Sequence, residues 1–283
     1  MTENWDQEKR AKNRWFINLA LYNEPEIIVK YKADLQRVGS KIPETIILLR
    51  EYARLNDWDE VKNSALKENI LKKRSSQTVN YILQAVKKRL FNNPDLPRAE
   101  LVASVVSKEI PLAAKSQILF VYLCESDVLV KRLLLNLVKS RIISSERKMS
   151  ANDVYDFLLA EKRVHPELKR WSEYLCKRWS RGFLSVLRDH GFMDPAPSKN
   201  LIKPSIRVEA FAFFLFHLIE KKLPVKDVLK NKLWDTFLLG PSEKDNLLNE
   251  TQKHGWIRFL RTGEIIELVP SYKSLEEWLN GLG

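Results

Sequence analysis

The sequence predicts a mainly helical protein of two domains. Only 8 of the 283 residues are glycine, while 48 are lysine or arginine and 36 are aspartate or glutamate. This composition favours charged helices over tight turns. Hydrophobic residues make up 45% of the chain, enough to form cores at this length. The segment SSERKMS at residues 144–150 interrupts the helical pattern, which predicts one domain at residues 1–145 and another at residues 146–283.

The excess of positive charge indicates what kind of partner the protein binds. A net charge of +12 favours an anionic partner, with nucleic acid ahead of a membrane surface. The first fifteen residues have no apolar run typical of a signal peptide, and the most apolar run, residues 210–219, is about half a membrane span. Cys124 and Cys176 lie in apolar helical stripes and form no CxxC pair, as in a reducing compartment. We therefore expect a cytoplasmic protein with no membrane partner.

Near the N-terminus, Trp15, Phe16, Leu19 and Tyr22 predict an amphipathic helix. The basic residues beside it suit a solvated docking helix better than a DNA contact. The role of residues 1–40 is left open.

A basic helical hairpin is predicted at residues 58–91. Asp57 is a suitable N-cap for its first helix, and Ser75 or Ser76 for its second. The second helix places apolar residues on one stripe and polar residues opposite, a pattern suited to a DNA groove. Between residues 62 and 89 there are eight basic residues and one acid, although a solvated hairpin with no ligand is the alternative. The predicted DNA contacts here are Lys72, Lys73, Arg74, Ser75, Ser76, Gln77, Tyr81, Gln84, Lys87, Lys88 and Arg89.

A second basic helix is predicted at residues 173–190, ended by Gly191. Its apolar face contains Trp179 and Phe183, and its opposite face is basic. Arginine and lysine on such a face suit phosphates and guanine edges, while a solvated face is the alternative. The candidate contacts are Lys177, Arg178, Arg181 and Arg188.

The C-terminal region predicts a short β-hairpin. A helix at residues 242–254 is followed by Gly255, then by WIRFL, a turn at residues 261–264, and IIELV. The order of helix, glycine and apolar hairpin is that of a winged helix-turn-helix. Arg258 and Arg261 would lie near the wing and are further candidate DNA contacts.

Motifs for catalysis are missing from the sequence. It has no phosphate-binding glycine loop, no HExxH or GxSxG motif, no paired CxxC and no nuclease-like carboxylate trio. The four histidines are scattered and suit core or capping positions better than metal ligation. We therefore expect no enzymatic activity, no cofactor and no metal.

Short signatures resemble one known family. They are KRS at residues 73–75 before a helix ending in KKRL at residues 87–90, and WSE at residues 171–173 before LRDHGF at residues 187–192. They are similar to BrxA, an accessory family of the BREX bacteriophage-exclusion systems, over about residues 42–269.

This resemblance implies a non-enzymatic, cytoplasmic protein of bacterial phage defence that binds double-stranded DNA and works with other BREX components. It also implies an N-terminal helical bundle similar to the antitermination factor NusB, followed by a winged-helix-like domain. The basic hairpin of the family corresponds here to Lys72, Lys73, Arg74, Lys87, Lys88 and Arg89.

The favoured interpretation is an accessory protein that binds the phosphate backbone of duplex DNA through its basic helix faces. Two alternatives remain. An RNA-binding, NusB-like factor would use aromatic side chains to stack unpaired bases, but most Trp and Phe lie on apolar stripes here. A protein-interaction scaffold would use its positive charge to bind an acidic partner, and salt-sensitive binding to unrelated duplexes would distinguish it from a DNA-binding protein.

Overall fold

The computed structural model describes residues 31–282 and confirms the mainly helical fold. The helix predicted around residues 15–22 lies outside the described residues. The first half contains helices α1 (Leu35–Val38), α2 (Ile42–Leu55), α3 (Trp58–Asn63), α4 (Ser76–Phe91), α5 (Ala99–Ser107), α6 (Leu112–Ser126), α7 (Val128–Leu133) and α8 (Lys139–Ile143). A π-helical turn, Ser64–Glu68, extends α3, and another, Leu134–Val138, joins α7 to α8.

The second half contains helices and one β-hairpin. Its helices are α9 (Ala151–Glu161), α10 (Pro166–Lys169), α11 (Glu173–Asp189), α12 (Val208–Glu220), α13 (Val225–Lys230), α14 (Pro241–Lys253) and α15 (Leu275–Gly281), with a 3-10 helix at Lys232–Phe237. Strands β1 (Ile257–Thr262) and β2 (Ile265–Pro270) pair antiparallel, as predicted, with Ile257 opposite Pro270 and Thr262 opposite Ile265. Gly263 has a φ of +59°, which suits glycine in the tight turn between them.

Local capping explains where several helices begin. Asp57 accepts hydrogen bonds from the backbone N–H groups of Asp59 and Glu60 at 2.7 and 3.0 Å, which confirms it as the N-cap of α3. Ser172 caps α11 in the same way by accepting from Leu175 N at 3.2 Å. These caps satisfy amide groups that a helix leaves free at its start.

Two clusters of buried side chains form the interior. The first joins α2–α6 to the C-terminal elements α12–α15 and β1, so that Tyr122 of α6 packs 6.4 Å from Phe214 of α12 between ring centroids. The second surrounds Trp179 and Phe183 of α11 and includes Phe120 of α6. Both clusters therefore contain residues from each side of position 145, and the division of domains there stays a prediction.

Helix α1 is held between α4 and α11. On one side, Arg89 of α4 donates to the carbonyl oxygens of Gly39 and Ser40 at 2.7 and 3.0 Å, and Lys88 pairs with Asp34 at 2.7 Å. On the other side, a Cβ added at Gly182 of α11 would lie 3.7 Å from Gln36 Cα, so that glycine permits a close approach of the backbone. Helix α1 thus connects the two helices that were predicted to bind DNA.

His190, at the end of α11, makes stability depend on pH. It is buried, its Nδ1 lies 2.9 Å from Ser116 Oγ, and burial lowers its pKa to about 3. An unfolded histidine titrates near about 6.5. The stabilisation from keeping His190 neutral is therefore fully present above about pH 6.5 and is lost as the pH falls towards 3. Asp127 acts in the opposite sense, because burial raises its pKa to about 6 and favours the folded, protonated form in acid.

We expect the urea midpoint of the protein to fall between pH 7 and pH 4. The fall should be smaller in His190→Phe, which removes the buried imidazole, and steeper in Asp127→Asn, which removes the opposing group. Urea titrations at fixed pH, followed by circular dichroism, measure these slopes. A His190→Phe variant that loses stability as steeply as the parent would contradict the assignment.

Candidate nucleic-acid interface

The basic turn before α4 has a fixed backbone. Asn69 and Lys72 both have positive φ, at 52° and 51°. The side chain of Asn69 donates to Lys73 O at 3.0 Å and accepts from Lys73 N at 2.9 Å, which closes the turn on itself. Lys72 and Arg74 project from this turn as exposed side chains. None of the ion pairs among residues 31–282 involves either of them.

Lys73 differs from its two neighbours because it has a carboxylate partner. Its Nζ lies 2.7 Å from Glu44 Oε1 at the start of α2. Burial alone would raise the pKa of Glu44, but the hydrogen bond from Lys73 and the charge of Lys41 lower it below its ordinary value. The positive charge of Lys73 is therefore partly neutralised within the protein.

The start of α4 is open to solvent. Ser75 occupies the N-cap position with φ −128° and ψ 128°, but its hydroxyl accepts no hydrogen bond from the helix. Ser76, Gln77 and Thr78, the first three residues of the helix, are exposed. Free amide groups at a helix start carry partial positive charge and suit a phosphate, particularly beside Lys72.

The outer face of α4 carries both free and engaged side chains. Gln77, Tyr81, Gln84 and Lys87 are exposed, as predicted from the apolar stripe opposite them. Gln77 Nε2 donates to Tyr81 Oη at 3.2 Å. Arg89 instead donates hydrogen bonds to the carbonyl oxygens of Gly39 and Ser40, just after α1, and burial lowers its pKa to about 10.

The exposed face of α11 is basic, with an internal ion pair at its start. Lys177 pairs with Glu173 at 2.5 Å and lies 5.8 Å from the centroid of the Tyr155 ring. Arg181 is exposed and donates through Nε to Lys177 O at 3.3 Å. Arg178 is exposed and has no ion pair within the described part of the chain.

Charged residues connect α11 to the basic turn. Arg188 is half-buried and donates to Ser198 O at 3.3 Å. Next to it, burial raises the pKa of Asp189, while the charges of Lys41 and Arg188 act against that rise. Since Lys41 also lies close to Glu44, the partner of Lys73, the end of α11 and the turn before α4 are neighbours.

The C-terminal hairpin places its arginines beside acids. Arg258 pairs across the strands with Glu267 at 2.8 Å, and Arg261 pairs with Asp245 of α14 at 2.9 Å. The outer face also has three exposed apolar side chains, of which Ile265 is the most accessible at 74%. The hairpin packs against α13 and α14, and of its two arginines Arg261 contacts α14 through Asp245.

Two cations beside these surfaces were not among the sequence-based candidates. Arg37 of α1 is exposed, with its Cζ 5.7 Å from the centroid of the Tyr81 ring of α4. Lys41 lies between the turn and α11, as described above. Helix α1 has only four residues, which is too short for a periodic pattern, and nothing in the sequence showed that it separates two basic helices.

Residues 31–282 contain neither a clustered set of metal-binding side chains nor a helix suited to crossing a membrane. No group of three or more histidine, cysteine, aspartate or glutamate side chains there is arranged to hold a metal ion. Within the same residues, no helix combines the length and apolar character needed to cross a membrane.

These features define a basic, mainly helical protein with a small C-terminal β-hairpin. The family model for BrxA matches residues 29–217, more than half of the sequence. The chain therefore belongs to the BrxA family, which is associated with BREX defence systems. The matched region includes the basic turn, α4 and α11, and ends before the hairpin.

A solved structure has a similar fold. It is an uncharacterized protein from Magnetospirillum magneticum, which aligns with a TM-score of 0.55 at 16% sequence identity. The alignment covers 66% of this chain and 92% of the other. At this identity the likeness concerns the fold alone. No curated protein matches the sequence.

Proposed function

We propose that the protein is a non-enzymatic accessory component of a BREX system that binds the phosphate backbone of double-stranded DNA. The observation that carries the proposal is the basic turn, where exposed Lys72 and Arg74 flank the open start of α4. Three kinds of phosphate-binding group coincide there, namely a lysine, an arginine and free helix amides. Membership of the BrxA family supports the association with phage defence.

The proposed contacts follow from which cations are free. Lys72, Arg74, Lys87 and Arg178 are exposed and have no carboxylate partner among residues 31–282, so they can neutralise phosphates without breaking an ion pair. Lys73, Lys88, Lys177, Arg258 and Arg261 have carboxylate partners and would first have to exchange them. Arg89 is left out of the proposed surface, because its guanidinium donates to the carbonyl oxygens of Gly39 and Ser40, just after α1.

Duplex DNA is favoured over single-stranded RNA. Proteins that recognise single strands usually stack unpaired bases on exposed aromatic rings. Here Trp179, Trp234 and Trp278 are fully buried, and the exposed aromatic side chains of the described region are Tyr81 and Tyr174. The two tyrosines lie on different helices, so they do not form a continuous stacking platform.

A protein-interaction scaffold is the second candidate. It is favoured by the outer face of the hairpin, where Leu260, Ile265 and Val269 are exposed together. Exposed apolar groups of this kind suit a protein partner such as another component of the defence system. The two candidates can both hold, since the hairpin and the basic turn are different surfaces.

The salt dependence of DNA binding tests the main proposal. If about five to eight side chains contact phosphates, log affinity for a labelled duplex should fall against log salt with a slope of about −4.5 to −7. Two duplexes of unrelated sequence should give similar slopes, and both should be recovered uncut after incubation with Mg²⁺. A slope near zero would exclude the phosphate mechanism, whereas cleavage that is lost in a point variant would exclude the non-enzymatic assignment.

A further inference from the structure

We propose that Arg37, held against the ring of Tyr81, contacts a DNA phosphate and joins α4 and α11 into one duplex-binding surface. This inference rests on the proposed function and adds to it a residue outside the predicted basic hairpin. In this proposal the short helix α1 contacts DNA directly and does not only link α4 to α11.

The environment of the Arg37 guanidinium suits a phosphate contact. Arg37 Cζ lies 5.7 Å from the centroid of the Tyr81 ring, a distance typical of a cation–π contact. Stacking on an aromatic ring leaves the N–H groups at the edge of the guanidinium free, and these can bind two oxygens of one phosphate. Arg37 is exposed and has no carboxylate partner among residues 31–282, so no internal ion pair competes for it.

The ring of Tyr81 is itself held in position. Gln77 Nε2 donates to Tyr81 Oη at 3.2 Å, one helical turn earlier on α4. Tyr81 is 37% exposed, and the apolar stripe of α4 that includes the neighbouring Ile82 is buried. The tyrosine ring is therefore a supported surface for Arg37.

Helix α1 is held in place by contacts on two sides. Lys88 and Arg89 of α4 hold Asp34, Gly39 and Ser40, at either end of the helix. The opposite side approaches Gly182 of α11 closely. Because the backbone of α1 is fixed on both sides, little backbone conformational entropy is lost when Arg37 binds a ligand.

Arg178 extends this surface onto α11. It precedes Gly182 by four residues, so both lie on the side of α11 that faces α1. Arg178 is exposed and has no ion pair within the described residues. Cations of α4, α1 and α11 thus lie on neighbouring helices. Such an arrangement would allow them to contact successive phosphates of one DNA backbone.

The test uses four variants of the full chain and one control. Arg37→Ala should weaken binding to duplex DNA about tenfold at moderate salt and reduce the salt slope by about 0.9. Arg37→Lys should keep the slope but bind several-fold more weakly than the parent, because lysine lacks the planar fork. Tyr81→Ala should also weaken binding several-fold although it removes no charge. Tyr81→Phe keeps the ring but loses the hydroxyl held by Gln77, so it should lose less affinity than Tyr81→Ala. Arg54→Ala is the matched control, since Arg54 is an exposed arginine paired with Glu51 on α2.

The outcomes separate this inference from the proposed function. If Arg37→Ala binds like the parent while Lys72→Glu with Arg74→Glu abolishes binding, Arg37 is not a contact and the function stands. If the parent itself shows no salt-dependent binding, both are wrong. A loss in Arg37→Ala that appears with G·C-rich but not with A·T-only duplexes would overturn the phosphate assignment in favour of a base contact. Thermal melts of each variant should match the parent, because the altered side chains are exposed.

Discussion

Replacing both Lys72 and Arg74 with glutamate is expected to weaken duplex binding by about a hundredfold or more at moderate salt. Each reversal removes a proposed phosphate contact and adds a charge that would repel the DNA backbone. Both side chains are exposed, and none of the ion pairs among the described residues involves them, so the fold should be nearly unaffected. Lys73 is kept in this variant, because reversing it would place two carboxylates together at Glu44. Fluorescence anisotropy with a labelled duplex, beside a circular-dichroism melt, measures the effect.

A control with the same change in charge isolates the position from the net charge. Lys230→Glu with Lys273→Glu removes the same charge at two exposed sites at α13 and before α15. The control should bind only slightly more weakly than the parent. Equal losses in the two double variants would mean that overall charge, rather than the basic turn, determines affinity.

Reversal of the basic face of α11 should have a smaller effect than reversal of the turn. In a variant with Lys177, Arg178 and Arg181 changed to glutamate, Lys177 already has Glu173 as a partner in the parent. One of the three positive charges is thus partly neutralised before the substitution. If this triple variant loses more affinity than the turn variant, α11 and not the turn is the main contact.

Arg89→Met is expected to lower the free energy of unfolding by about 2–4 kcal/mol, the largest stability effect that we predict. The substitution removes two hydrogen bonds to the carbonyl oxygens of Gly39 and Ser40 and leaves those acceptors without their donor. Methionine retains much of the apolar stem, so the loss reports the charged head group rather than packing. Urea unfolding at neutral pH measures the change.

Lys87→Met is the matched control, two residues earlier on the same helix. Lys87 is exposed, so this variant should change stability by no more than about 0.5 kcal/mol while it reduces DNA affinity. The two variants should therefore affect different quantities. Arg89→Met should lower the stability of the fold, whereas Lys87→Met should lower the affinity for DNA. An Arg89→Met variant that is as stable as the parent would show that α1 does not depend on this arginine.

The apolar periodicity of the sequence was sufficient to predict the inner and outer faces of α4 and α11. Val79, Ile82 and Val86 are buried, as are Trp179 and Phe183, because a helical stripe of large apolar side chains has no stable alternative to a core. The cap at Asp57 and the C-terminal hairpin followed from short patterns with a direct physical cause.

Roles that depend on distant parts of the chain were not predictable in this way. The sequence groups Arg89 with Lys87 and Lys88 as one basic run, yet Arg89 is bonded to carbonyl groups about fifty residues earlier. Similarly, Lys73 and Lys88 obtain their partners Glu44 and Asp34 only through tertiary packing. Composition gives the number of cations in a segment but not which of them the fold has already neutralised.

Helix α6 contributes side chains to both buried clusters, and this affects how the protein unfolds. Tyr122 packs against Phe214 in one cluster, while Phe120, two residues earlier, packs 4.8 Å from Phe192 in the other. Neither cluster can lose its structure without removing packing from the same helix. Cooperativity should therefore extend across the chain, with a single unfolding transition from α2 to α15. Fragments cut at residue 145 would expose the phenylalanines of α12 to solvent, and we expect them to aggregate rather than to fold as autonomous halves.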